Sequence, residues 1–497
     1  MNSINRPINR RTFLSLSAGA TGSVLLTQCS WASTSMPLPQ KANSPEVFTT
    51  NPDGLLDVAL EARPSLIKLG QQQGNLLAYN GQIPGPRLEA KAGDSVRIRF
   101  TNKLSQATNL HYHGLHIPPT GKADNAFLAV PSGETETYEF TLPKNHPSGT
   151  FFYHPHVHQT VAEQVFGGLG GIFIVRGALD DIPEIRAAKE EFLFLKDFAL
   201  DANGKIPSPN HMDVMRGREG AILTVNGQVN PTFSLASGGL LRLRIINAST
   251  SRFYRLSLED HPFYLIATDG GAIAEPVELK ELLLSPGERA EVLVRGDRTP
   301  KQYRLLNLPY DRGGLAMMGG MNHGNMMGNP VAEANATQII ATITYKDSLA
   351  KPLPLPQKLI PVEVLPQPVK TRRIEMSMAM GTGMGMQMTF LFNGKTFDMN
   401  RVDAAVKLGT TEDWEIANVD PDGMEHSFHL HTNPFQVIDR NGKPDPYQSW
   451  EDTLRVRAKE TVRIRIPFRD FVGKTVYHCH VLDHEDLGMM GLVDMQA

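Results

Sequence analysis

The segment near the C-terminus contains three side chains that together can hold one copper ion. Cys479, His484 and Met489 supply a thiolate, an imidazole and a thioether. With a second imidazole from elsewhere, this set makes a blue-copper electron-transfer site, in which two histidines and a cysteine lie in a plane and a methionine binds weakly along the axis. The residue types and their spacing therefore indicate one-electron chemistry.

The two neighbours of the cysteine indicate a second metal site. His478 and His480 flank Cys479 directly. In an extended strand, successive side chains point to opposite faces, so Cys479 would face one metal centre while both histidines face another. Three consecutive residues would then form a covalent bridge between two redox sites.

Three further histidine clusters could complete the second site. Each contains a His-x-His pair, which places two imidazoles on one strand face. Together with the C-terminal segment they use ten of the 16 histidines in the chain, and this concentration argues against scattered structural histidines. The clusters are His111 with His113, His154 with His156, and His426 with His429 and His431.

In order and in spacing, these four motifs resemble those of the multicopper oxidases, over nearly all of the mature chain. The resemblance implies four copper ions, with one-electron oxidation of a substrate at a type 1 copper and reduction of dioxygen to two waters at a trinuclear cluster. The implied type 1 ligands are His426, Cys479, His484 and axial Met489. The implied type 2 ligands are His111 and His429, and the type 3 ligands are His113, His154, His156, His431, His478 and His480.

Reduction of dioxygen to water also needs protons at a buried cluster. By comparison with relatives, Asp124, after the first His-x-His pair, and Glu485, directly after His484, are placed to supply them. Asp483 is a further candidate for the same relay. The alternative for each is an ordinary surface carboxylate.

The composition favours a large all-β protein. At 497 residues the chain is long enough for two to four domains. A net charge of -3 with 20% charged residues does not suggest nucleic acid or an anionic surface as a partner. The 43 glycines and 35 prolines, without long amphipathic helical periods, favour many short strands and turns. Of the two cysteines, Cys29 lies in a predicted leader and Cys479 is a ligand candidate, so no structural disulfide is expected.

A phrase that recurs three times predicts three cupredoxin-like Greek-key sandwiches. Asn80-Gly81, Asn226-Gly227 and Asn393-Gly394 each mark a tight turn, and a strand alternating apolar and polar residues follows, most clearly over 96–100. We predict domains over 45–177, 178–350 and 373–497, with a stiff proline-rich linker over 351–372. Because the second copy lacks paired histidines, we interpret it as a spacer that lets the outer two domains meet at the trinuclear cluster.

The N-terminus predicts an exported protein. Arg10 and Arg11 precede a short apolar region, which is typical of a twin-arginine signal peptide, here predicted over 1–32. The alternatives are a disordered basic tail and a lipoprotein signal ending at Cys29. No later stretch reaches the about 18 apolar residues of a membrane span. We therefore expect a periplasmic or extracytoplasmic location. We also expect the protein to be a monomer.

Methionines offer a clue to the reductant. Eleven of 20 lie over 317–327 and 376–388, and thioethers are soft ligands that select cuprous copper. The first stretch, with Met317, Met321 and Met326, is interpreted as a copper-collecting loop. The second stretch alternates at period two, which fits either copper binding or packing of the methionines in a core.

Within the family, the chain resembles the bacterial periplasmic copper-efflux oxidases, which oxidise cuprous ion. Asp422 and Met424 match an acid and a methionine of that subfamily's substrate-copper site beside the type 1 centre. A second acid of that site and a long methionine-rich insert are missing from the region around 380–388, and a methionine loop lies in the second domain instead. The resemblance thus implies a cuprous oxidase with an altered delivery site.

Two other functions remain open on the sequence. A laccase-like oxidase of phenols or aromatic amines would accept electrons at an open edge of His426 and His484. A non-catalytic periplasmic copper-binding protein would use the fold without turnover, although the complete ligand set weighs against it. Copper nitrite reductase is disfavoured because that enzyme has no trinuclear cluster.

Overall fold

The structure is a computed structural model that describes residues 40–42, 44–313, 336–380, 388–420 and 423–497. Within these residues the chain forms six β-sheets arranged as three two-sheet sandwiches, with a few short helices. The prediction of an all-β chain of three cupredoxin-like sandwiches is confirmed. The domain boundaries given above stay a prediction.

A short strand, β1 (Gln40–Lys41), precedes the first sandwich and joins a sheet of the second. The first sandwich pairs a four-stranded sheet of order β4-β3-β6-β8 with a five-stranded sheet of order β2-β5-β10-β9-β7. Its elements are β2 (Val47–Thr49), β3 (Leu55–Leu69), β4 (Gln72–Tyr79), β5 (Gly85–Lys91), β6 (Ser95–Asn102), β7 (His111–His113), β8 (Thr135–Thr141), β9 (Gly149–His154), helix α1 (Val161–Gly167) and β10 (Gly171–Arg176).

The second sandwich pairs two six-stranded sheets, of orders β1-β13-β21-β20-β15-β18 and β12-β11-β14-β19-β16-β17. Its elements are α2 (Ala178–Asp181), α3 (Pro183–Ala187), β11 (Lys189–Phe198), α4 (His211–Arg216), β12 (Ile222–Val225), β13 (Pro231–Ser237), β14 (Leu240–Asn247), β15 (Tyr254–Leu258), β16 (Phe263–Thr268), β17 (Gly271–Leu279), β18 (Leu282–Leu284), β19 (Arg289–Arg295), β20 (Gln302–Leu308) and β21 (Gln338–Ser348).

The third sandwich pairs sheets of orders β23-β22-β25-β30-β27-β28 and β24-β32-β31-β26-β29. Its elements are β22 (Lys370–Met380), β23 (Met388–Phe392), β24 (Ala404–Lys407), β25 (Thr410–Asn418), β26 (His426–Leu430), β27 (Gln436–Arg440), β28 (Lys443–Pro444), β29 (Thr453–Val456), β30 (Thr461–Phe468), β31 (Gly473–Cys479), α5 (Leu482–Asp486) and β32 (Met490–Gln496). Within the described residues, no helix is both long enough and apolar enough to cross a membrane.

Each pair of sheets encloses its own apolar core, which follows from the alternation in the sequence. In β6, Val96, Ile98 and Phe100 are buried while Arg97 and Arg99 are exposed, as expected for a sheet with one solvated face. The burial of these apolar side chains is what holds the two sheets together.

The predicted Asn-Gly turns have the same backbone geometry in all three sandwiches. The φ angles are 51° and 77° at Asn80 and Gly81, 54° and 71° at Asn226 and Gly227, and 50° and 71° at Asn393 and Gly394. Positive φ at two consecutive positions is the requirement that Asn-Gly meets best. The repeated phrase in the sequence therefore encodes a repeated structural unit.

Strand pairing brings the histidine motifs together. In the first sandwich β7 pairs with β9, so that His111 lies opposite His154. In the third sandwich β26 pairs with β31, so that His429 lies opposite His478 and Phe428 opposite Cys479. Motifs separated widely in sequence thus become neighbours in two sheets.

Candidate metal centres

The first candidate centre lies where β31, β26 and α5 meet. The Cys479 Sγ atom lies 3.6 Å from His426 Nδ1 and 3.8 Å from His484 Nδ1. Met489, directly before β32, is buried in the same apolar cluster as Cys479. A thiolate, two imidazoles and a thioether in one wholly buried place are the donor set that copper prefers for electron transfer.

The protein encloses both imidazoles of this centre. His426 and His484 are 0% exposed. His484 Nε2 donates a hydrogen bond to the Met215 carbonyl oxygen of α4 (3.0 Å), and the Phe390 ring stacks on His484 with centroids 3.9 Å apart. His426 Nε2 lies 3.6 Å from Asp420 Oδ2. The spacing of the ligand motifs in the sequence does not indicate Met215, Phe390 or Asp420.

Eight further histidines form the second candidate centre, on the other side of Cys479. The Nε2 atom of His478 lies 3.2 Å from His156 Nε2 and 3.1 Å from His431 Nε2, so three ring nitrogens converge on one point. The rings of His113, His154 and His480 form a second triplet, with centroids 4.9 to 5.7 Å apart.

His111 and His429 lie between the two triplets. The His111 ring stacks on His431 and the His429 ring stacks on His113, each pair with centroids 3.8 Å apart. Their own centroids are 5.7 Å apart. The Nε2 atoms of both are buried and have no hydrogen-bond partner among the described residues.

The protonation state and the buried, unpaired nitrogens of these histidines both favour metal binding over hydrogen bonding among the rings. Burial lowers the pKa of His156, His429 and His478 to about 4, and it also lowers the pKa of the other five histidines well below the usual value of a histidine. Neutral imidazoles keep a lone pair on one nitrogen, which is the form that binds a metal. Unpaired buried nitrogens are costly unless something binds them.

Two of the predicted acids touch the histidine cluster. Asp124 is buried, and its carboxylate lies 2.9 Å from His111 Nδ1. The same carboxylate accepts a hydrogen bond from the backbone N–H of Tyr112. Glu485 is 0% exposed, with Oε2 3.0 Å from His478 Nδ1 and Oε1 3.3 Å from His156 Nε2. Burial raises the pKa of both carboxyl groups to about 7.

Asp483, the third acid, has a different environment. It is ion-paired with Arg218, which donates to Asp483 Oδ1 at 2.7 Å, and it also accepts the Arg218 backbone N–H. Its contacts therefore lie with the second sandwich, and none of its hydrogen bonds in the described structure reaches a histidine.

The structure adds three residues that the histidine spacing could not indicate. Asp452 Oδ1 accepts a hydrogen bond from His113 Nε2 (3.0 Å), and the Thr453 hydroxyl lies 3.0 Å from both His113 Nε2 and His429 Nδ1. Arg289 of the second sandwich donates to both oxygens of Asp452. Burial alone would raise the pKa of Asp452, but the guanidinium outweighs this and holds it below its usual range.

The methionines divide into two groups. Met376 and Met388 are buried in the third core and Met378 packs against it, so packing explains these three. Met424 is also buried, two residues before His426. The predicted substrate-copper residues Asp422, Met317, Met321 and Met326 lie outside the described residues, as does the predicted signal peptide.

The chain is similar to known proteins along most of its length. Three multicopper oxidase family profiles match residues 63–179, 195–323 and 370–496. Multicopper oxidase mco of Staphylococcus haemolyticus is 29% identical over 461 residues, which cover 90% of this chain and 91% of the relative.

Solved structures agree as well. A Campylobacter jejuni multicopper oxidase described as a metallo-oxidase is 32% identical, with a TM-score of 0.80, over 93% of this chain and 96% of that one. A laccase from Pediococcus acidilactici is 28% identical, with a TM-score of 0.76, over the same shares. The chain belongs to the multicopper oxidase family and is an oxidoreductase with copper as cofactor.

Proposed function

We propose that the protein oxidises its substrate one electron at a time at a type 1 copper and reduces dioxygen to water at a trinuclear cluster. The type 1 copper is held by His426, Cys479, His484 and Met489. The type 2 copper is held by His111 and His429. One type 3 copper is held by His113, His154 and His480, and the other by His156, His431 and His478.

One observation carries this proposal. Cys479 faces two imidazoles of one centre, while its neighbours His478 and His480 belong to two different triplets of the other. Bound copper would supply the one-electron steps at the first centre and the four-electron chemistry of dioxygen at the second. The chain itself supplies the covalent connection between them, through the peptide bonds on either side of the cysteine.

The two buried acids hold the protons that water formation needs. Glu485 lies between His478 and His156, and Asp124 lies against His111. Since each group is buried and its pKa is raised toward neutrality, each can hold a proton beside the cluster and release it there. We therefore assign both as proton-donating residues and leave Asp483 out of the relay.

We further propose that the reductant is a small metal ion, cuprous copper, supplied through Asp422, Met424 and the methionine loop with Met317, Met321 and Met326. The enclosure of the type 1 imidazoles supports this, because His484 is capped by the Met215 carbonyl and stacked on Phe390. In the described structure neither His426 nor His484 is exposed, so a phenol ring cannot contact an edge of either imidazole. The description of the Campylobacter jejuni relative as a metallo-oxidase points the same way.

A laccase-like function is the second candidate, because the Pediococcus acidilactici relative is named a laccase. Oxygen uptake by the copper-loaded protein, with cuprous ion and with a simple phenol each as sole donor, separates the two. Fast uptake with cuprous ion and slow uptake with the phenol is expected. Fast uptake with the phenol alone would favour the laccase, and no uptake with either from a fully loaded protein would contradict both.

Helix α4 provides a sharper test of the reductant. Replacing residues 211–216 by a glycine-serine linker of the same length removes the helix whose Met215 carbonyl covers His484. We expect phenol-driven oxygen uptake to rise about tenfold, or roughly 1.4 kcal/mol in activation free energy, while cuprous-driven uptake does not rise. An unchanged phenol rate, in a variant that keeps its blue absorption, would show that α4 is not the barrier.

The cellular location is also a proposal. The twin arginines Arg10 and Arg11 support export of the folded chain by the twin-arginine route, to a compartment where excess copper would be met. We propose that the exported protein acts as a monomer.

A further inference from the structure

The second sandwich reaches the histidine cluster through one arginine. Arg289, the first residue of β19, is 0% exposed in its side chain. Its Nη1 and Nη2 atoms each donate to one oxygen of Asp452 at 2.6 Å, which is a bidentate pair. Its Nε donates to the Thr150 carbonyl of the first sandwich, and Nη2 also donates to the Asp269 carbonyl of the second. One guanidinium therefore bonds to all three sandwiches.

The partner of this arginine orients two of the proposed copper ligands. Asp452 accepts from His113 Nε2 through its carboxylate (3.0 Å) and from His429 Nδ1 through its carbonyl (2.8 Å), and its Oδ1 lies 3.4 Å from the same nitrogen of His429. With those nitrogens protonated, His113 Nδ1 and His429 Nε2 keep their lone pairs. Both of these opposite nitrogens are buried and without a hydrogen-bond partner in the described residues. The contacts thus fix which nitrogen of each ring faces the cluster.

We propose that Arg289 is a positioning residue for the trinuclear cluster, and that it makes docking of the second sandwich a condition for holding the type 2 copper. The carboxylate of Asp452 and one nitrogen each of His113 and His429 lie within 4.8 Å of one another, close enough to bind a metal themselves. Arg289 donates to both carboxylate oxygens, so Asp452 acts as a hydrogen-bond acceptor and not as a metal ligand. Without the arginine, the carboxylate is a buried unpaired charge that can turn toward a copper ion.

The test is Arg289→Met in the full-length, copper-loaded protein, because methionine keeps the length of the side chain and removes the guanidinium. We expect the affinity for type 2 copper to fall by about 10- to 100-fold, the usual effect of losing a residue that orients a ligand. Copper per chain after dialysis against graded chelator measures the affinity. The type 2 signal in electron paramagnetic resonance, integrated against the type 1 signal, shows which copper is lost.

Arg244→Met is the matched control. Arg244 is also 0% exposed, lies on the neighbouring strand β14, and donates to Glu291 and Asp180. Among the described residues, no hydrogen bond joins it to a histidine or to Asp452. This variant should lose thermal stability by a comparable amount and keep its type 2 signal.

Two results of the copper assay would contradict the proposal. Wild-type type 2 affinity and hyperfine splitting in Arg289→Met would overturn the proposal, and so would an equal loss in both variants, which would indicate general loosening. If Arg289→Met does not fold, Arg289→Lys keeps the charge without the bidentate geometry, and it should show a smaller loss in the same assay; no loss would overturn the proposal. A wild-type protein without any type 2 signal would instead contradict the proposed function.

Discussion

Replacement of Cys479 by serine is expected to abolish the blue absorption and to reduce oxygen uptake to the uncatalysed background with every donor. A serine hydroxyl is hard and stays protonated at neutral pH, so it cannot replace a thiolate as a soft, charged ligand beside His426 and His484. The substitution also removes the sulfur from which the covalent path to His478 starts. Two defects therefore act on the same electron transfer.

The measurement combines the visible spectrum, copper per chain and oxygen uptake of one preparation. The variant should lose the type 1 copper and retain the histidine-bound copper, because the eight cluster histidines are untouched. Thr475→Ser is the control, since Thr475 is buried on the same strand and its hydroxyl contacts Thr432 rather than a ligand. Sustained turnover by Cys479→Ser would contradict the assignment of the type 1 site.

The ligand motifs could be predicted from sequence because each is local. Alternation along a strand dictates that Cys479 and its two histidine neighbours face opposite ways, and the described structure has that arrangement. The three-sandwich fold was likewise predictable from the repeated Asn-Gly turn, since few other dipeptides accept positive φ at both positions.

The surroundings of the ligands could not be predicted, because they come from distant parts of the chain. Arg289 and Asp452 are 163 residues apart, and His484 and Met215 are 269 apart. No spacing rule links residues that meet only when separate sandwiches dock. For the same reason, the spacer role that the sequence predicts for the second sandwich is incomplete, because this sandwich also contributes Arg289 and Met215 to the candidate centres.

The period-two methionines show a different limit of sequence reasoning. Alternation places Met376 and Met378 on one face of β22, but it does not say whether that face meets a pocket or a core. The structure places Met376 in the third core with Met378 against it. Only the packing of the opposite sheet decides such a case.

Exchange of Glu485 for glutamine is expected to slow turnover by about 10²- to 10⁴-fold, the usual contribution of a positioned proton donor. Glutamine has the same shape and can still fill the space between His478 and His156, but it has no proton to release. Because Glu485 does not touch Cys479 or the enclosed type 1 imidazoles through any hydrogen bond in the described structure, reduction of the blue copper by the donor should keep its rate. The defect should appear only when dioxygen reoxidises the protein.

Stopped-flow spectroscopy separates these two steps, with anaerobic bleaching of the blue band as the first and its return on mixing with dioxygen as the second. Asp483→Asn is the matched control, because it lies on the same short helix α5 and pairs with Arg218 instead of a histidine. It should change turnover by no more than about twofold, which is a small effect for a residue outside the reacting groups. Of these two carboxylates, only Glu485 touches a cluster histidine in the described structure. Slow reoxidation in Asp483→Asn together with normal reoxidation in Glu485→Gln would contradict the assignment of Glu485 and indicate that the protons pass through Asp483 instead.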